Sequence, residues 1–306
     1  MSSPDDNRDF LFGDLPRFRR RPPRRVFGLL VLGMLALGLV LVAWTLVYGV
    51  GSKLPEATSS DATSHGTPTQ SPLSPQANAT LPSQLQSLVD GGRPVYCGGT
   101  TQPMVALTFD DGPGPYSQYT IDTLRTANAK ATFFLVGRLL HSKTYQRIAK
   151  REAKFGEVGD HSWSHPELAG EPESTLQTEV LKAQKLTEKY TGGPVVYFRP
   201  PLGSHDAALD AYVRSLGMIE VIWTFDTHDS SEGVKPDEIV TSIDNWARPG
   251  AIILLHENRG ATRIALPDIL QTLSDKGLRP VTLTTLLTED PPTREQLKQG
   301  QSGCTR

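Results

Sequence analysis

Cysteine is nearly missing. The 306 residues contain two, Cys97 and Cys304, and neither has another Cys or a His at ligand spacing. A cysteine-built metal site is therefore excluded. The two bracket the body of the chain almost end to end. In an oxidising compartment they can join its ends in one disulfide, worth roughly 5 kcal/mol by chain entropy; otherwise they are two free thiols. A dominant charge is missing as well, since 31 Lys and Arg stand against 33 Asp and Glu, for a net of −2. The first 25 residues hold seven Arg against four Asp, a local net of +3, which leaves −5 for the remainder. A mildly acidic body excludes nucleic acid as the main partner. No short internal repeat is present.

Charge is absent altogether from one long stretch. Residues 17–25 hold six Arg, and Val26–Val50 then carries no charged residue and is rich in Leu, Val and Gly. At a rise of about 1.5 Å per residue such a run spans a hydrocarbon core of ~30 Å with some tilt. Trp44 and Tyr48 lie near its far end, where interfacial aromatics collect. It lacks an Ala-x-Ala cleavage site and exceeds the ~7–15-residue apolar region of a signal peptide. The expectation is a basic cytoplasmic tail at 1–25, an uncleaved single-pass transmembrane helix at 26–50, and everything beyond it extracytoplasmic. Residues 51 to about 80, mostly Ser, Thr, Pro, Ala and Gln, lack the apolar content for a core. The stretch 51–93 reads as a flexible linker, and thirty such residues average roughly 30 Å end to end and stretch toward ~90 Å. Near its close, Leu81, Leu85, Leu88 and Val89 have the spacing of a short helix that packs on the domain.

The body, 94–306, alternates strand-like and helix-like patterns. Strands are expected at 104–110, 131–137, 156–161, 195–200, 218–225, 251–256 and 279–283. One helix shows a capping box at Ser174 and Gln177, carries the stripe Leu176, Val180, Ala183, Leu186 and Tyr190, and stops at Gly192-Gly193. Others run through Leu209, Val213 and Leu216 to Gly217, and through Leu266, Leu270 and Leu273 to Gly277. Seven β–α alternations predict a parallel α/β architecture, either barrel or open sheet. Both place their sites at the carboxyl ends of strands. The polar clusters fall there: Asp110 with Asp111, His161 with His165, Arg199 to Gly203, Asp226 with Asp229, and His256.

Thr108-Phe109-Asp110-Asp111-Gly112-Pro113 follows the apolar run Met104 to Leu107. Two adjacent carboxylates need a metal ion, an arginine or both to offset their charges. A continuing strand would aim them at opposite faces, so both serve one site only if the chain bends, which Gly112 and Pro113 permit. Alone, the hexamer suits a plain turn equally well. His161-Ser162-Trp163-Ser164-His165 sets two imidazoles four apart, on a shared face if the segment is a helical turn. With Asp111 they form a set suited to zinc or a similar ion, with a position left for water. Asp110, beside a ligand, is then placed to act as a base.

Taken in order, Thr-Phe-Asp-Asp-Gly-Pro at 108–113, His-Ser-Trp-Ser-His-Pro at 161–166, Arg-Pro-Pro-Leu-Gly at 199–203, Asp-Thr-His-Asp at 226–229 and Leu-Leu-His at 254–256 resemble the five motifs of the polysaccharide deacetylases, carbohydrate esterase family four. The resemblance covers roughly residues 100–290. It implies a distorted (β/α)7 barrel that removes acetyl groups from N-acetylated sugars with a divalent metal, zinc first and cobalt or another first-row ion after it. It makes Asp110 the general base and Asp111, His161 and His165 the metal ligands. Arg199 supports the base, Asp229 holds Arg199, and His256 is the general acid for the departing amine. Leu254 lines the acetyl-methyl pocket, and the backbone N–H at Leu202 serves the oxyanion. Three positions depart from the family pattern: Leu202 and Ser230 replace aromatics, with Trp223 as a substitute wall, and Asp160 adds a negative charge near the metal ligands. His141, His205 and His228 receive no role, and Glu257 reads as a neighbouring solvated or hydrogen-bonded acid.

An anchor and a tether suit a polymer close to the membrane. Peptidoglycan is the first expected substrate, chitin-like glycans the second, and O-acetyl groups of xylan-type polysaccharide the third. Two rivals stand beside this reading. One is a glycan-binding pseudoenzyme, which Leu202 and Ser230 would suit and intact Asp110 and His256 oppose. The other is a hydrolase of small amides.

Overall fold

The computed structural model describes residues 81–304. The tail at 1–25, the anchor at 26–50 and the linker as far as residue 80 lie outside the described residues. Among the described residues no helix is long and apolar enough to cross a membrane. The first element, α1 (Ser83–Gly91), buries Leu85, Leu88 and Val89, as their spacing predicts. The end of the stretch read as linker is thus packed on the domain.

Strand β1 (Met104–Gly112) is followed by α2 (Ser117–Thr126), β2 (Thr132–Leu135), α3 (Lys143–Phe155) and β3 (Glu157–Asp160). Next come α4 (Glu173–Leu176) and α5 (Lys182–Thr191), joined through a π turn at Gln177–Leu181, then β4 (Tyr197–Phe198) and α6 (Ala207–Ser215). The order continues β5 (Ile219–Glu220), β6 (Phe225–Asp226), α7 (Pro236–Trp246), β7 (Ile252–His256), α8 (Gly260–Asp275), β8 (Arg279–Val281), α9 (Leu283–Glu289) and α10 (Arg294–Gln299). Two expectations need correction. The helix expected to be capped at Ser174 begins earlier, with Pro172 at its N-cap, and no side chain caps it. The single strand expected at 218–225 is two, because the residues between β5 and β6 pair with an earlier segment of the chain.

The strands run parallel in the order β5-β4-β3-β2-β1-β7-β6, with β8 pairing the start of β1. The terminal strands β5 and β6 are consecutive in sequence and curl toward each other without pairing. Residues 95–98 lie in that gap. Val95 N–H donates to Glu220 O, Ile222 N–H to Val95 O, and Gly98 N–H to Gly250 O, each at 2.8 Å. Gly250 has φ +81°, and a Cβ there would fall on the carbonyl oxygens of Gly98 and Gly99, so only glycine fits. The Sγ atoms of Cys97 and Cys304 stand 1.94 Å apart, at disulfide distance, 207 residues apart in sequence.

Side-chain alternation sorts the apolar residues into two cores. Val105, Leu107, Phe109, Phe133, Leu135, Phe198, Ile253 and Leu255 pack under the helices. Met104, Ala106, Phe134, Tyr197, Ile219, Val221, Ile252 and Val281 fill the inside of the curl with α1 and α9. The parity matters for the site. Thr108 and Asp110 continue the inner face of β1, Arg199 that of β4, and Leu254 and His256 that of β7.

Candidate active site

Asp110 is 2% exposed at the top of β1, paired in the sheet with His256 on β7. Continued strand would turn Asp111 outward. Instead Asp111 has φ +67°, and the register with β2 moves from Phe109↔Phe133 to Gly112↔Leu135. This bulge places both carboxylates on one side. The bend that the sequence required is therefore made at Asp111 itself, at a backbone cost of about 1 kcal/mol or more.

His161 follows β3 on the inner face, and its Nδ1–H donates to Arg199 O at 2.8 Å. A carbonyl can only accept, so Nε2 keeps its lone pair and faces the carboxylates, 3.6 Å from Asp110 Oδ2 and 3.9 Å from Asp111 Oδ1. His165 Nε2 lies 3.5 Å from Asp111 Oδ1. The pair does not sit on a helical turn. A loop with φ +63° at Ser162 and +68° at His165 brings the rings together, centroids 4.8 Å apart.

These residues fit a divalent cation. One ligand atom each from Asp111, His161 and His165 lies within 4.8 Å of the others. Ligand atoms around tetrahedral zinc sit about 3.3 Å apart, close to the observed separations. Burial lowers the pKa of His161, which favours the neutral imidazole that a metal requires. Burial opposes ionisation of Asp111, but the surrounding His161, His256 and His165 and the amide of Asn258 outweigh it and hold the carboxyl below its ordinary value.

Arg199 is fully buried. Its Nη1 donates to Asp110 Oδ1 at 2.7 Å and Thr108 Oγ1 at 2.8 Å, Nη2 to Ile222 O at 2.8 Å, and Nε to Val221 O at 3.1 Å. The guanidinium lies over the Phe134 ring at 4.2 Å. Asp110 is thereby fixed through one oxygen, and the other faces the site. Asp229 does not hold Arg199, contrary to expectation. It serves His256, accepting from Nδ1 and from the backbone N–H at 2.7 Å each, and it also accepts from Thr262 Oγ1. The physical reason is placement: Asp229 follows β6, beside β7 and the start of α8, while carbonyls of residues 221 and 222 already occupy the far side of Arg199. Burial lowers the His256 pKa, but the hydrogen bond and charge of Asp229, with Asp110 and Asp111 beyond, more than offset it and raise the imidazole above its ordinary value.

The remaining expected residues separate by exposure. Leu254 is 4% exposed, on the inner face directly below His256. Leu202 is 69% exposed on the rim, with φ +62°. Trp223 packs beside Gly203 and over Arg199. Asp160 points to the helix side, fully buried, where it accepts from the Ser162 N–H, and burial raises its pKa well above the ordinary value. Glu257 is not solvated either. It is 1% exposed, accepts from the Ser117 hydroxyl and faces the buried Glu152, and burial with the Glu152 charge raises its pKa. His228 is exposed and pairs with Asp226.

Sequence reasoning missed three supporting residues. Thr108 joins Arg199 to the Ile253 carbonyl; its place two residues before Asp110, on the same face, was a usable signal. Asn258 donates to Asp111 Oδ2 at 3.2 Å, and Thr262 holds Asp229 from the first turn of α8. Neither belongs to a motif.

The model for polysaccharide deacetylase matches residues 98–221. A peptidoglycan-N-acetylglucosamine deacetylase of Bacillus cereus is 33% identical over 193 residues, covering 61% of this chain and 89% of that one. The chain belongs to the polysaccharide deacetylase family. With its deacetylase relatives, this polysaccharide deacetylase is a hydrolase acting on carbon–nitrogen bonds other than peptide bonds. Among solved structures, the Bc1960 peptidoglycan N-acetylglucosamine deacetylase superposes with a TM-score of 0.61 at 32% identity, covering 65% of this chain and 95% of that one. Wild-type BA3943 of Bacillus anthracis, a pseudoenzyme of the same family, gives 0.60 at 30% identity, covering 66% and 70%.

Proposed function

We propose that this chain is a membrane-anchored, metal-dependent deacetylase that removes N-acetyl groups from peptidoglycan outside the cell membrane. One observation carries the reading. Asp110, oriented by Arg199, and His256, oriented by Asp229, stand on neighbouring strands beside the Asp111–His161–His165 set.

Asp111, His161 and His165 would hold the cation, zinc by preference for two imidazoles and a carboxylate. When bound it supplies positive charge that polarises the acetyl carbonyl and acidifies water. Asp110 takes the proton of the attacking water through the oxygen that Arg199 leaves free. His256, with Nδ1 committed to Asp229, presents Nε2 and delivers a proton to the amine, which leaves poorly without one. We assign the oxyanion to the Leu202 amide, the acetyl-methyl pocket to Leu254 and its wall to Trp223. The curled sheet, bridged by residues 95–98, we read as the distorted (β/α)7 barrel.

The substrate assignment rests on the relatives that act on peptidoglycan and on the anchor at 26–50 followed by a tether. A Cys97–Cys304 bond agrees with an extracytoplasmic placement, since such bonds persist in oxidising compartments. The test is mass spectrometry of muropeptides after treatment of cell-wall sacculi with the zinc-loaded full chain. Loss of acetyl from amino sugars is the expected result. Intact acetyl groups in muropeptides, with acetate released only from xylan, would transfer the activity to ester cleavage.

A further inference from the structure

A second group of metal-type donors lies outside the site described above. On β5, Ile219 faces the inner core and so does Val221 beyond it, so Glu220 between them faces the helix layer. Glu220 is 4% exposed, and neither of its carboxylate oxygens accepts a hydrogen bond among the described residues. An ionised carboxylate left this way is costly unless a positive group joins it. Facing it are Asp210, on the first turn of α6, and His205, two residues before that helix. His205 Nδ1 is 3.0 Å from Asp210 Oδ1 and 3.8 Å from Glu220 Oε1. Arg93 and Arg214 line the narrow cavity beside the cluster, yet among the described residues neither is ion-paired with Asp210 or Glu220.

We infer that His205, Asp210 and Glu220 form a second divalent-cation site, separate from the catalytic set, that ties α6 and the segment at 95–98 to the edge of the sheet. One ligand atom from each lies within 4.8 Å of the others. The separations of 3.0 and 3.8 Å from His205 Nδ1 bracket the roughly 3.3 Å expected around a tetrahedral ion. Without a cation Nδ1–H donates to Asp210 Oδ1 at 3.0 Å; a cation would take the place of that proton, while Nε2, 2.9 Å from the Tyr96 hydroxyl, becomes the N–H that orients the ring, as in metal-binding histidines. Tyr96 belongs to the segment that fills the gap between β5 and β6, so the site would reinforce that seam. Two carboxylates and a divalent ion balance in charge, and one imidazole with two carboxylate oxygens suits zinc or manganese. The side chains of His205 and Asp210 are 25% and 20% exposed, which leaves the ion a path from solvent. The competing occupant is a proton. Without a cation, burial and the facing Asp210 push the Glu220 carboxyl up to about 9.

The test counts zinc. The full chain is stripped with chelator, reloaded with Zn2+, freed of excess and analysed by elemental mass spectrometry. Wild type should hold two zinc per chain, Glu220→Gln one, and a His161→Ala/His165→Ala variant one. Reloading should raise the melting temperature of wild type further than that of Glu220→Gln. The zinc that Glu220→Gln retains in the catalytic set also reports that it has folded; should it not fold, His205→Ala, at a half-buried position, gives the same reading. Equal zinc in wild type and in Glu220→Gln or His205→Ala would overturn the inference and leave the cluster a proton-sharing ion pair. A count altered only by the His161 and His165 substitutions likewise overturns it, and leaves the proposed catalytic centre standing.

Discussion

Asp110 and Asp111 are neighbours with different tasks because one lies in regular strand and the other at φ +67°. Arg199 secures Asp110 Oδ1 at 2.7 Å, while Asp111 turns toward the histidines. Asp110→Asn keeps the shape and the hydrogen bond but removes the proposed base. It should lower kcat on the order of 10²–10⁴-fold with zinc content unchanged, as read by acetate release beside metal analysis. Asp229 predicts a different signature. In the proposed role of acid His256 must carry a proton, so activity should fall as pH rises through its pKa. Asp229 raises that pKa. In Asp229→Asn the alkaline limb of the pH–rate profile should therefore move to lower pH. A profile that kept its alkaline limb and lost only its acidic one would return Asp229 to the support of Arg199.

At the scale of elements, the seam between β5 and β6 is the distinctive feature. Residues 95–98 fill it, and the close approach at Gly250 holds them there. Gly250→Ala combines a left-handed backbone with a clash on two carbonyl oxygens and should cost about 2 kcal/mol or more, measured by denaturant unfolding. Much of the element pattern was legible. Strands alternate faces, so the apolar run before Asp110 located β1, and glycines after Leu186–Tyr190, Leu216 and Leu273 marked helix ends. Three features were not legible, each because a distant partner decides it. The strand at 218–225 splits because Val95 competes for its middle. The two histidines meet through a left-handed loop, whereas their spacing suits a helical turn. Asp229 chooses His256 over Arg199 because of where β6 delivers it, which motif order does not encode. Likewise, nothing local distinguishes His205 from a surface histidine; Glu220, fifteen residues on, gives it a context.

For the whole molecule, buried carboxyls set the pH response. Burial raises Glu152, beside Glu257, from 4.5 to about 7. The folded chain therefore holds a proton that the unfolded chain has already released between these values. The associated stability is complete below about pH 4.5 and is lost as pH rises to about 7. Glu152→Gln should flatten that decline, measured as melting temperature between pH 5 and 8 at about 1-unit steps. A slope identical to wild type would mean that the pair is solvated or neutralised in another way. The proposed membrane anchor and tether would act at this scale too, by confining the centre to wall polymer within roughly 30–90 Å of the bilayer.

The most direct measurement is acetate release from N-acetylated peptidoglycan by the full chain, stripped of metal and then reloaded with zinc. The stripped protein should be inactive, zinc should restore release, and His165→Ala should stay inactive under the same reloading. A folded, zinc-loaded chain that frees no acetate from peptidoglycan, or one equally active after stripping, would contradict the account.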